Sequence, residues 1–141
     1  MSDTALDRQL IVEALARYAW GYDEGDFKLL ADSFTQDATT GGKVAHTDIG
    51  WGPMRGRAQI VEVLEGIRKT QSDQRRHSIH TVRFHNQSAT EADFSAYMHI
   101  SGAENKVIRL VTAGWYRAQV VKEADGIWRM RNLDALLDAP F

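Results

Sequence analysis

The sequence contains no cysteine. That excludes disulfides, thiolate metal sites and cysteine nucleophiles together. Only two prolines occur, and with no internal repeat or low-complexity stretch nothing divides the chain into parts. No window approaches ~18 consecutive apolar residues, and Met1-Ser2-Asp3-Thr4 lacks a basic region followed by an apolar run. No membrane span or secretory signal is therefore expected, and a cytoplasmic location is the default. Neither sign of charge dominates. Nineteen acidic residues against seventeen Lys and Arg leave a net charge of −2, which gives no reason to expect nucleic acid or an acidic membrane as partner. Nucleotide fingerprints are missing too. Gly50-Trp51-Gly52 is neither G-x-G-x-x-G nor a P-loop, and the absence of G-x-S-x-G argues against a serine hydrolase.

What remains is an ordinary globular composition, 43% hydrophobic and 26% charged. The length suits one domain, residues 1–141, with a real core. From Asp3 to about Asp23, the residues Leu6, Leu10, Ile11, Ala14, Leu15, Tyr18, Ala19 and Tyr22 form a helical stripe, with Ser2 or Asp3 as N-cap. Gly25 suits a left-handed cap, and Asp26 can start a second short helix through Phe27, Leu29, Leu30 and Phe34. Residues 38–56 are rich in glycine and carry Trp51 and Met54. They read either as a lid with those two side chains beneath it or as a plain strand-and-turn connection. A third helix spans Arg57 to about Thr70.

Beyond Ser72 the period changes to two. Strands are predicted over Arg76–Phe84, Glu91–Ile100, Lys106–Lys122 and Ile127–Leu137. Turns are predicted at Asn86–Ser88, Ser101–Asn105 and Ala124–Gly126. Three helices followed by an antiparallel meander imply an α+β fold, with the helices on one face of a curved sheet.

Strand alternation sends His77, Ile79 and Thr81 to one face and His80, Val82 and Phe84 to the other. The two histidines then cannot share a metal ion, and no clustered ligand set occurs elsewhere, so no metal is expected. A strand histidine facing the helices is better suited to proton transfer. A carboxylate across from it would fix its tautomer, as a general base requires. Asp23 is best placed for this, although an acid at a helix C-terminus opposes the macrodipole by roughly 0.3–1 kcal/mol. Tyr18, Tyr22, Tyr97, His99, Tyr116, Arg109 and Arg117 are further polar candidates for the same cavity, beside Trp51 and Met54.

The order of Tyr22-Asp23-Glu24-Gly25-Asp26-Phe27, Gly56-Arg57-Ala58-Gln59-Ile60, Arg76-His77, Ala113-Gly114-Trp115-Tyr116-Arg117 and Asp125-Gly126-Ile127-Trp128-Arg129 resembles the SnoaL-like branch of the nuclear-transport-factor-2-like superfamily. The likeness runs over nearly the whole chain and is nearest to scytalone dehydratase and hexachlorocyclohexane dehydrochlorinase. It implies a cone-shaped α+β barrel with a deep apolar pocket, an Asp23–His77 dyad and no cofactor. Tyr22 matches the dehydratase tyrosine that precedes the Asp, and Tyr18 matches a tyrosine of the bile-acid dehydratases. The dehydratase's second histidine and its asparagine fall near Gly102 and Arg117, so the polar wall must differ.

Taken together, the expectation is a cofactor-independent lyase or isomerase acting on a hydrophobic cyclic or aromatic molecule. His77, Asp23 and Tyr22 would be catalytic. Tyr18, Trp51, Met54, Tyr97, His99 and Arg117 would bind substrate. The rival expectations are a non-catalytic binding protein and a dioxygenase β-subunit-like partner. Relatives are commonly trimers or dimers, and the outward face with His80, Val82 and Phe84 would meet a second copy.

Overall fold

The structure, a computed structural model, describes residues 3–141. Helix α1 (Thr4–Glu24) starts at Asp3, whose carboxylate accepts the backbone N–H groups of Ala5 and Leu6 at 3.0 and 3.1 Å. This satisfies two of the helix's free donors; Ser2, the other cap candidate, lies outside the described residues. Gly25 ends the helix at φ 71°, donating its N–H to the Tyr22 carbonyl at 3.2 Å. Ile11, Ala14, Leu15, Tyr18 and Tyr22 form the buried face, while Leu6 and Leu10 of the expected stripe stay partly exposed. Asp26 caps α2 (Phe27–Asp32) through the Leu29 N–H. The second helix is shorter than expected. Ser33 closes it, and Phe34 opens β1 (Phe34–Val44).

The remaining elements are β2 (Gly50–Arg55), α3 (Arg57–Lys69), β3 (Gln74–Gln87), β4 (Glu91–Glu104), β5 (Val107–Lys122) and β6 (Trp128–Leu137). They form one six-stranded sheet in the order β2-β1-β6-β5-β4-β3, antiparallel except where β1 runs parallel to β6. Helices cover one face, giving the expected cone-like α+β fold. Residues 41–56 are a paired hairpin with Thr40 opposite Met54 and Gly42 opposite Trp51, so the strand-and-turn reading applies. The expected loose turn at Ser101–Asn105 is mostly strand. The reversal falls on Asn105 and Lys106, both at positive φ, as a two-residue hairpin turn requires. The Asn86–Ser88 turn is displaced as well, because Asn86 and Gln87 still pair with Asp93 and Ala92.

One bulge changes which residues face inward. Thr81 has φ 53° and the β3–β4 register shifts between His80 and Arg83. An extra residue flips every later side chain to the opposite face. Phe84 is therefore turned toward α1, not outward as strict alternation predicts. Its ring packs 5.5 Å from that of Phe94 and lies under the Arg8 guanidinium at 4.3 Å.

Phe34, Phe94, Met98, Trp128, Met130 and Leu133 fill the core. At one end Arg129 bonds Asp32, Glu123 and Asp125, tying α2 to the last hairpin. Burial disfavours the ionised Asp32, yet Arg129 and Arg17 outweigh it and hold the carboxyl below its ordinary 3.8. A bond from Arg117 lowers Asp93 in the same direction. Such carboxylates contribute stability above their unfolded pKa and lose it as pH falls through the folded value. Arg129→Met is thus expected to flatten the dependence of unfolding free energy on pH between about 2 and 4. Denaturant titrations across that range check this, and an unchanged slope would contradict it. Among the described residues no helix is long and apolar enough to cross a membrane.

Candidate active site

Asp23 and His77 meet where α1 ends against the start of β3. One Asp23 oxygen accepts the His77 backbone N–H at 2.8 Å, and the other lies 2.7 Å from His77 Nδ1. Both side chains are buried. The carboxylate thus clamps the ring and the backbone of one residue. The simplest assignment puts the imidazole proton on Nδ1 and leaves Nε2 bare. The helix end that holds Asp23 is itself satisfied, since its carbonyl accepts Gln74 Nε2 at 2.7 Å and Arg68 Nη2 at 3.4 Å. That cation offsets the unfavourable position of the acid at the helix C-terminus.

His77 borders a cavity of about 60 Å³. This is well above the ~10–15 Å³ needed to admit a single water, so a small ligand can enter. Tyr18, Tyr22, Gln71, Arg75, His77 and Tyr116 supply its polar wall; Trp51, Leu64, Ile67, Ile100, Ala135, Leu137 and Phe141 supply the apolar one. Tyr22 and Tyr18 stand edge-on to the imidazole, with centroids 5.5 and 6.1 Å away. The Tyr22 hydroxyl donates to Gln71 Oε1 at 2.7 Å. Among the described residues no group of three or more His, Asp or Glu is arranged to hold a metal ion.

The profile of the SnoaL-like domain family matches residues 3–134. The chain belongs to that SnoaL-like family. Solved structures share its fold. A cystatin-like-fold protein of unknown function from Nostoc punctiforme superposes with a TM-score of 0.82 at 21% identity, over 98% of this chain and 96% of that one. An NTF2-like protein from Novosphingobium aromaticivorans gives 0.79 at 19% identity, over 94% and 82%. A Catenulispora acidiphila protein in complex with S-DNPA gives 0.80 at 22% identity, over 96% of each chain. At these identities the likeness concerns the fold. No curated protein matches.

In this SnoaL-like chain, Tyr18, Tyr22, Trp51 and His77 border the cavity together, and Asp23 backs His77. Tyr97, His99 and Arg117 do not. Ala96, Met98 and Ile100 of β4 point inward, as do Tyr116 and Ala118 of β5, so the intervening residues face outward. Tyr97 is 56% exposed, His99 packs against His80, and Arg117 forks onto Asp93. Met54 is buried in the core cluster, away from the cavity. Gln71 and Arg75 are cavity residues outside the expected set. Starting the strand at Gln74 instead of Arg76 would have put Arg75 on the face of His77.

Burial pushes the Tyr18 and Tyr116 phenols far above their ordinary 10. Both remain protonated donors at neutral pH. Trp51 closes the opposite side by lying over Gly42, where an added Cβ would sit 2.2 Å from the indole Cζ2. Gly42→Ala is expected to displace the indole and open the cavity. The Trp51 indole N–H resonance should move in a two-dimensional NMR spectrum, and an unmoved signal would contradict this packing.

Proposed function

We propose that this SnoaL-like protein is a cofactor-independent lyase or isomerase that removes a proton from carbon in a small hydrophobic, cyclic or aromatic molecule. The supporting observation is the 2.7 Å Asp23–His77 contact in the wall of an otherwise largely apolar cavity. His77 Nε2 accepts the proton, and Asp23 orients the ring and stabilises the imidazolium that forms. The electron pair of the broken C–H bond then either forms a double bond as a hydroxide or halide leaves, or returns with the proton at another carbon. In a dehydration the imidazolium proton leaves with the hydroxide as water. Tyr18 and Tyr116 are donors for a carbonyl or leaving-group oxygen; the Tyr22 hydroxyl, which donates to Gln71, joins them only by exchanging that bond for the ligand. A molecule too large for this cavity needs Phe141, which is half exposed and packs on Trp51, to move aside.

Proton removal can be followed without knowing the product. A panel of cyclic ketones and hydroxyketones in D₂O should lose a specific carbon-bound proton in the presence of the protein. A non-catalytic pocket would retain such ligands without exchange, and Asp23→Asn would leave their binding unchanged. That pattern would replace the catalytic reading.

We also propose a homo-oligomer, with Val107, Ile108 and Leu110 as its apolar contact. They are 66–75% exposed at the start of β5, with Ile108 and Leu110 on the sheet face that farther along carries Tyr97 and Trp115, and exposed apolar residues of this kind favour association. Phe84 takes no part, since it faces α1. Light scattering at micromolar concentration should give a dimer or trimer; a monomer contradicts this, and Ile108→Glu should produce one.

A further inference from the structure

We infer that Arg75 receives an oxyanion of the ligand, and that the substrate class is therefore a carbonyl compound deprotonated beside its carbonyl group. The inference deepens the proton-abstraction reading and rests on it. Arg75 and His77 are two residues apart on β3 and both border the cavity. A strand rises ~3.3 Å per residue, so their side chains leave it roughly 6.6 Å apart. A C–C=O unit fits between a base on one side and a donor on the other.

Arg75 is 8% exposed and is the one Lys or Arg among the described residues that border this cavity. Its Nε bonds both oxygens of Asp73 at 2.9 Å. Among the described residues, neither of its terminal NH₂ groups has a protein acceptor. Arg117 gives Asp93 both Nε and a terminal nitrogen, whereas Arg75 gives Asp73 Nε alone. Here the carboxylate holds the Nε edge, and the fork is left for something else. These nitrogens are not among the buried polar atoms that lack a partner; they open onto the cavity, where a ligand acceptor can reach them.

The surroundings keep this charge available. Asp73 reaches Arg75 because Gly102, opposite Arg75 on β4, has no side chain; a Cβ there would lie 2.1 Å from Asp73 Oδ2. Arg109 also donates to Asp73 Oδ2, at 3.4 Å. Two guanidiniums against one carboxylate leave one positive charge. Burial raises the Tyr22 phenol, and Arg75 is the strongest charge opposing that rise, so the guanidinium and this hydroxyl act on the same region. As His77 takes the proton, the C–H electron pair becomes the enolate double bond, and the carbonyl oxygen takes the negative charge at Arg75. Removing one such preorganised donor costs about 10²–10³ in rate.

Binding of para-nitrophenolate, an enolate mimic, against para-nitrotoluene, its neutral isostere, tests the assignment without turnover. The wild-type protein above the phenol's pKa should bind the anion at least ~10-fold more tightly, an order within a single charged hydrogen bond. Arg75→Met should abolish that preference while still binding para-nitrotoluene, and Arg75→Lys should keep part of it. His77→Ala should retain it, so failure of the base and failure of the anion site are told apart. Wild-type protein that does not prefer the anion overturns the inference, whatever the variants do. Anion preference without any deuterium exchange would leave Arg75 as the anion site and remove the catalytic reading.

Discussion

His77→Ala is expected to slow carbon-bound deuterium exchange by about 10²–10⁴-fold, the usual contribution of a positioned base. The fold should survive, because the backbone N–H that Asp23 accepts at 2.8 Å remains in an alanine variant. Loss of the ring donor leaves one buried carboxylate oxygen without its partner, a cost of about 1–3 kcal/mol. Asp23→Asn is the sharper variant. If the amide oxygen keeps the backbone bond, its NH₂ faces Nδ1 and forces the imidazole proton onto Nε2. The ring would then present a donor where the reaction needs an acceptor, and a wrong tautomer can lower rates by about 10⁴. Full exchange activity in either variant, with native near-ultraviolet circular dichroism, would remove the dyad from the mechanism.

Phe34→Ala is expected to cost about 3–5 kcal/mol, the range for deleting a buried phenylalanine. Phe34 is 0% exposed and meets the Tyr18 ring edge-on at 5.8 Å. Its removal leaves a void beneath one polar wall of the cavity. Domains are stable by only about 5–15 kcal/mol, so the melting temperature should fall by roughly 10–20 °C. Calorimetry checks this. A loss below ~1 kcal/mol would mean that α1 and α2 collapse into the space, and that the Tyr18 position is less fixed than the packing indicates.

The two variants probe features that were unequally legible in the sequence. The Asp23–His77 pairing could be read because helix and strand periodicities are independent of each other and both point inward. Tyr18 and Tyr22 followed from the helix stripe, and Trp51 from its place in the glycine-rich segment. Tyr97, His99 and Arg117 were drawn in by their chemistry, although alternation from the buried Met98 and Tyr116 sends them outward. Phe84 needed knowledge of the Thr81 bulge, and no composition signal marks a threonine at positive φ. Arg75 was hidden by a strand boundary set two residues late. The 38–56 hairpin was ambiguous because its glycines suit both a mobile loop and a tight pair of strands under an indole. Side-chain chemistry names candidates; register and parity decide among them.

The most direct test of the account is the protonation pattern of one ring. In uniformly ¹⁵N-labelled protein at a pH where His77 is neutral, long-range ¹H–¹⁵N correlation separates a protonated ring nitrogen from a bare one. The account predicts the proton on Nδ1, toward Asp23, with Nε2 bare at the cavity, and loss of this pattern in Asp23→Asn. A proton on Nε2 in the wild-type protein would mean that His77 cannot act as the base.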